Sequence, residues 1–161
     1  MKRLILLFAF FAILLQFNPV KAQRYSTLNQ YVKYFATAQG KFNPIEGVWK
    51  VYRLRYSAYN SSNSFHYDGT REEYTVVIEN EQGLFREYVF NDGNLVIDNE
   101  PRFFILSGNT YKFSYLYMYN DLCEAFEIKT NIKFSFKSKY LEGGYGYKYL
   151  FELTYYKLNE L

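Results

Sequence analysis

The side chains able to do chemistry in this chain are few and scattered. The sequence has one histidine, His66, and one cysteine, Cys123. His66 lies two residues before Asp68 in a polar run, a spacing in which imidazole and carboxylate could pass a proton. No motif serine or cysteine stands nearby to be activated, so a surface histidine is the simpler reading. Zinc takes three or four His, Cys or carboxylate ligands, and one of each cannot supply a recognisable set. The acidic pairs Glu72-Glu73 and Glu79 with Glu81 stand near strand ends without calcium-loop spacing and read as solvated carboxylates. No glycine-rich phosphate loop occurs. The expectation is a non-enzymatic protein without metal or cofactor.

The residues suited to binding are aromatic. Tyr111, Phe113, Tyr115, Tyr117 and Tyr119 occupy alternate positions, with Lys112, Ser114, Leu116 and Met118 between them. A period of two marks a β-strand with one buried face, because successive side chains point to opposite sides of the pleat. The same pattern recurs in Phe126, Ile128, Ile132, Phe134 and Phe136, and again in Tyr147, Tyr149, Phe151, Leu153 and Tyr155. If these rows face inward, Tyr111, Phe113, Tyr115, Tyr117, Tyr149 and Phe151 either line a ligand cavity or fill the core. Buried tyrosines need hydrogen-bond partners, which points to water or a polar guest. In the segment opened by Trp49, strict alternation places Val51, Arg53 and Arg55 on the tryptophan's face. An inward arginine needs an anion, such as a ligand carboxylate. Alternatively the strand bulges after Val51, turning both arginines to solvent, and Tyr52, Leu54 and Tyr56 become the inner face.

The elements that must position these residues follow from the turn signals. Ser26 to Ala38 reads as an amphipathic helix, capped by Ser26 and stopped near Gly40, with Leu28, Tyr31, Val32 and Phe35 at helical spacing. Asn43-Pro44 hands over to strands. Eight are expected: Val48 to Ala58; Glu73 to Glu79 after a polar loop, Asn60 to Thr70; Leu84 to Phe90; Leu95 to Asp98; Arg102 to Leu106; the aromatic strand; Leu122 towards Ser138; and Tyr145 to Leu158. Asn91-Asp92-Gly93-Asn94 is a strong hairpin signal. The predicted fold is all-β, an eight-stranded antiparallel up-and-down barrel with a short N-terminal α-helix. Closure removes the exposed edges that long aromatic strands would present.

Residues 1–22 stand outside that fold. Lys2 and Arg3 precede an unbroken apolar run from Leu4 to Leu15, and Val20-Lys21-Ala22 has the small residues a signal peptidase reads. The run is too short to span a bilayer. The expected domains are a signal peptide over 1–22, a helix and lead-in over 23–42, and a barrel over 43–161. The leader holds three of the nineteen basic residues and no acid, leaving sixteen charges of each sign in the exported part. That balance argues against nucleic acid as a partner. Lys129, Lys133, Lys137 and Lys139 share one strand face, where lysines serve solubility and edge protection. Cys123 falls on a polar face and, as the only thiol, forms no internal disulfide. The fold must therefore rest on its hydrophobic core.

Ile45-Glu46-Gly47-Val48-Trp49-Lys50 follows the short helix and opens the first strand. This resembles the Gly-X-Trp signature of the lipocalin and fatty-acid-binding (calycin) families, matched by Gly47 and Trp49. The resemblance implies a barrel with an internal ligand cavity, its floor closed by the tryptophan and the glycine letting the chain pass close to it. Lipocalins commonly pack a late arginine on that tryptophan, whereas the last strand here offers Lys148 and Lys157. The family's usual disulfide is missing, and Tyr119-Asn120-Asp121 departs from its Thr-Asp-Tyr loop.

The expected role is non-catalytic binding of a small apolar or amphipathic molecule by a secreted or periplasmic protein. One alternative is a soluble interaction module with a filled core, an inhibitor or assembly factor contacting a protein through its loops. The other is a small outer-membrane barrel. Against the latter, strands three to five look short of the roughly nine to eleven residues a spanning strand needs. Secretion of the full chain is expected to yield a product beginning at Gln23. Intact mass determination checks this, and a product retaining residues 1–22 would contradict the leader assignment.

Overall fold

The computed structural model describes residues 25–37, 42–59, 61–81, 83–97, 102–114, 122–123, 125–140 and 146–158. One helix, α1 (Leu28–Thr37), precedes ten strands: β1 (Gly47–Tyr59), β2 (His66–Glu81), β3 (Leu84–Asn91), β4 (Asn94–Ile97), β5 (Arg102–Ser107), β6 (Thr110–Ser114), β7 (Leu122–Cys123), β8 (Phe126–Glu127), β9 (Lys133–Tyr140) and β10 (Tyr147–Lys157). Every pairing is antiparallel. The ladder runs β7-β9-β10-β1-β2-β3-β5-β6-β8, with β4 paired to β3 off that path.

Two expectations need correction. The polar loop expected up to Thr70 gives way at His66, because β2 extends the β1 ladder down to Tyr56↔Tyr67 and Ser57↔His66. The single strand expected from Leu122 towards Ser138 is three pieces, β7, β8 and β9. Thr130-Asn131-Ile132 bend out of the strand path, and β7 pairs with β9 while β8 pairs with β6. This fragmentation raises the strand count from eight to ten. Among the described residues no ladder joins β7 directly to β8, so the hydrogen-bonded wall is not a closed cylinder. The aromatic strand is described as Thr110–Ser114; Tyr115, Tyr117 and Tyr119 lie outside the described residues, as does the leader.

The hairpin signal is realised as a two-residue turn: Asn91 pairs with Asn94, and Asp92 and Gly93 take φ of 48° and 77°. Positive φ at both turn positions matches the twist of the flanking strands. Backbone contacts tie the start of the helix to that hairpin. Leu28 N–H donates to Gly93 O at 2.9 Å, and Thr27 bridges to Asn94. The cap sits one residue later than expected. Gln30 Oε1 reaches back to accept from the Ser26 and Thr27 amides at 3.1 Å each, satisfying donors that open a helix.

The two faces of the sheet carry two cores. Inward, Trp49, Val51, Val76, Ile78, Phe85, Phe103, Tyr111, Phe113, Phe126, Ile128, Phe134, Phe136, Phe151, Leu153 and Tyr155 form one buried cluster with Ile45. Outward, α1 lays Tyr31 onto Val48, Val77, Tyr88 and Phe90 of β1 to β3. The Tyr31 ring stacks on Tyr88 with centroids 6.2 Å apart and meets Phe90 edge-on at 5.8 Å. No described helix is long and apolar enough to cross a membrane, which says nothing of strands.

Gly47 has φ of 141°, where side chains are strongly disfavoured. A Cβ there would stand 2.6 Å from Lys157 Cε. Gly47→Ala is expected to lower stability by about 1–3 kcal/mol through backbone strain, read as a lower urea midpoint. An unchanged midpoint would mean that the entry to β1 relaxes freely.

Candidate functional site

The interior has a packed end and a polar end, and register decides which residue stands where. On β1 and β10 the inward pairs run Val51↔Tyr155, Arg53↔Leu153 and Arg55↔Phe151. Strict alternation therefore holds past Val51, and the arginines share the tryptophan's face. The irregularity in the β1–β2 ladder comes later, between Leu54 and Tyr56. Tyr52, Leu54 and Tyr56 lie on the outer face; Tyr52 meets Tyr156 there at 5.6 Å and Tyr56 donates to Glu152 at 2.8 Å.

At the packed end the Trp49 indole N–H donates to Ile45 O at 2.8 Å, and the ring stands edge-on to Phe134 at 4.9 Å. Phe134 stacks on Tyr155 at 4.4 Å, and Phe126 on Phe136 at 4.7 Å. Tyr111 and Phe113 belong here: Tyr111 packs on Phe85 at 5.8 Å and Phe126 at 6.1 Å, and Phe113 on Phe136 at 4.8 Å. Lys157 closes this end from above. Its ammonium lies 5.0 Å from the Trp49 centroid and donates to Pro44 O at 3.1 Å, and burial pushes its pKa down.

Midway up, one charged group enters this apolar wall. Glu87 of β3 is only 1% exposed and accepts the Tyr155 hydroxyl at 2.8 Å. β3 and β10 are separated in the ladder by β1 and β2, so this bond crosses the interior. Burial pushes the Glu87 carboxyl up to about 7, opposed by the Tyr155 hydrogen bond and the charge of Arg53. Such a group exchanges its proton near neutral pH and can accept or donate a hydrogen bond to a guest.

The polar end lies above it. Arg53 stands 4.9 Å from the Phe151 centroid and donates to Glu72 at 3.0 Å. Arg55 stands 5.2 Å from Tyr149 and donates to Asp68 at 2.6 Å. Burial opposes ionisation of Asp68, but the Thr70 amide and Arg55 outweigh it and hold the carboxyl below its ordinary range. The two arginine side chains are 29% and 40% exposed, so they form a half-open rim over Phe151 and Tyr149. The residues singled out for binding thus divide. Tyr111 and Phe113 belong to the packed end, Arg53, Arg55 and Tyr149 to the rim, Phe151 is a buried core ring beneath Arg53, and Tyr115 and Tyr117 lie outside the described residues.

Sequence reasoning missed three buried carboxylates, Glu46, Glu79 and Glu87. Glu87 falls in the alternating row Phe85-Glu87-Val89, and a charge in an apolar row was the available signal. Glu79 does not read as buried from the sequence, because its cover is α1: it is 2% exposed and accepts the Tyr31 hydroxyl at 3.0 Å. Burial, then the Glu79 charge, raises the pKa of that phenol. His66 is exposed at the start of β2, and the Cys123 side chain lies outside the described residues. Among the described residues no three His, Cys, Asp or Glu side chains converge on a metal-sized site. No protein-family model and no curated protein matches this chain.

Because the folded carboxyl of Glu87 holds its proton to about pH 7 and the unfolded one releases it near 4.5, the protonated form favours the fold. The contribution is fully present below about pH 4.5 and is lost as pH rises through about 7, a change on the order of 3 kcal/mol. Glu87→Gln is expected to flatten the fall in unfolding midpoint between these pH values. Parallel profiles for the two proteins would refute the assignment.

Proposed function

We propose that this chain is an exported, non-catalytic binding protein that holds a small, partly apolar molecule at the arginine end of a barrel. The carrying observation is the rim itself: two half-exposed guanidinium groups over the rings of Phe151 and Tyr149, above a buried carboxyl. The partly exposed Tyr149 ring offers an apolar guest contact area, while Arg53, Arg55 and Glu87 orient its polar group. An anionic head would exchange places with Glu72 or Asp68 on the arginines, a substitution between like charges that leaves no buried cation unpaired.

In this reading the wall closes where β7 meets β8. β7 and β8 are the two ends of the ladder and neighbours in the chain, and the first and last strands are already paired. Counting β7 and β8 as one place in the ring, with β4 set aside, leaves eight places, the number of a lipocalin-like ring. Lys157 over Trp49 occupies the role of the arginine that the resemblance calls for, and Gly47 leaves space for it. The outer face of β1, β2, β9 and β10 carries the pairs Lys50–Glu73 and Lys137–Glu152, charges that a lipid-facing wall would not hold, which favours the soluble form over an outer-membrane barrel. The ring packing around Phe134 and Phe136 supports a second reading, a protein-contact module acting through its loops.

Native mass spectrometry of the secreted chain, purified without detergent, decides between them. A small-molecule adduct lost on denaturation, and depleted in Arg53→Ala, is the expected result. A clean apo mass would overturn the carrier reading in favour of the module.

A further inference from the structure

We infer that the outer face of β1, β2 and β10 carries a second binding site, for a small anionic amphipath. A shallow, open groove of about 490 Å³ runs there. Tyr52, Leu54, Tyr156 and Leu158 give it apolar walls, and Lys50 and Arg71 stand on it as cations. The two cations differ in what answers them. Lys50 is paired with Glu73 at 2.7 Å. Arg71 is exposed, its guanidinium 5.2 Å from the Tyr52 centroid, and among the described residues no carboxylate reaches it.

The neighbouring acids are already committed. Glu72 turns to the inner face and holds Arg53, and Glu73 holds Lys50. On the far side Lys133 lies over the Tyr156 ring at 5.1 Å, also without a carboxylate among the described residues. The face is thus a row across four strands, Arg71, Tyr52, Tyr156 and Lys133, with uncompensated cations at its ends and rings between. A planar guanidinium with free donors favours a carboxylate, sulfonate or phosphate, bound bidentately.

The apolar walls select the rest of the ligand. A bare anion would leave Leu54 and Leu158 facing water, and a neutral hydrocarbon would leave Arg71 unanswered. A body of one or two rings or a short chain on the Tyr52–Leu54–Leu158 wall, with its anion on Arg71, satisfies both. An added peptide strand has no place here, because β1 is hydrogen-bonded on both edges, to β10 and β2. This site is on the opposite face of the sheet from the arginine rim and does not depend on the reading of the interior.

The test is a fluorescence titration of the full secreted chain with 8-anilinonaphthalene-1-sulfonate, a probe with two rings and one anion. Saturable binding that weakens with added salt is expected. Arg71→Gln, at an exposed position where folding is little affected, is expected to weaken it about tenfold or more through loss of a charge-assisted contact. Leu54→Glu, which sets an acid on the wall, is expected to abolish it. Binding to Arg71→Gln and Leu54→Glu with wild-type affinity would overturn the site, as would a wild-type protein that does not bind the probe.

Discussion

The fold hangs on the way Trp49 is gripped. Its N–H is held by Ile45 O, its edge by Phe134, and its face by the Lys157 ammonium. These contacts come from the turn before β1, from β9 and from the end of β10, so one indole fixes the entry of the chain, the first strand and the last. The cation reaches the ring because Gly47 has no side chain: a Cβ would occupy the space of Lys157 Cε. Remove that clearance and the lysine loses its ring, Pro44 loses its donor, and the close approach of entry and exit loosens. The aromatic stack of Phe134, Tyr155, Phe126 and Phe136 builds outward from this point.

The carboxylates buried among the described residues, Glu46, Glu79 and Glu87, are each answered, in different ways. Glu46 accepts from the Asn43 amide and side chain and from the Asn80 amide, and so holds the turn before β1 against the β2–β3 hairpin. Glu79 is answered by the helix through Tyr31, and Glu87 by Tyr155 across the interior. Apart from the Asn43 contacts, each bond links elements distant in sequence, and each replaces water that the aromatic packing excludes. An unanswered carboxylate in these places would cost more than the local contacts return.

Much of this was legible in the sequence, for a physical reason. Strands obey a period of two, so the row from Trp49 through Val51 to Arg53 and Arg55 offered the arginines an inward place, but a bulge after Val51 would have turned both to solvent, and only the pairing with β10 decides between the two. The Asp92-Gly93 turn was local. What could not be read were partners set by other elements. Glu79 looked solvated because nothing nearby in sequence announces that α1 will cover the outer face of β1 to β3. The strand expected from Leu122 looked continuous because its apolar spacing survives the bend at residues 130–132. The groove beside Arg71 was hidden for the same reason, since it depends on which acids neighbouring strands bring to which cation. The resemblance carried by Gly47 and Trp49 calls for a late arginine that the last strand lacks, and only distance shows that Lys157, not Lys148, stands over the ring.

The pairing of the first and last strands has a kinetic side. β1 meets β10 in a ladder running from Trp49↔Lys157 to Tyr59↔Tyr147, so its partner is nearly the whole domain away in sequence. Closing so long a loop is entropically slow, and no early hairpin can substitute for it. A chain threaded end-first through a narrow channel cannot assemble the Trp49 stack until β10 has followed. Were the chain exported as proposed, this delay would keep it translocation-competent until β10 has followed. The same topology leaves β1, with its row of rings and valines, unpaired on one edge during that interval. The charges set along it, Lys50, Arg53 and Arg55, are then the gatekeepers that keep one nascent chain from pairing with the next.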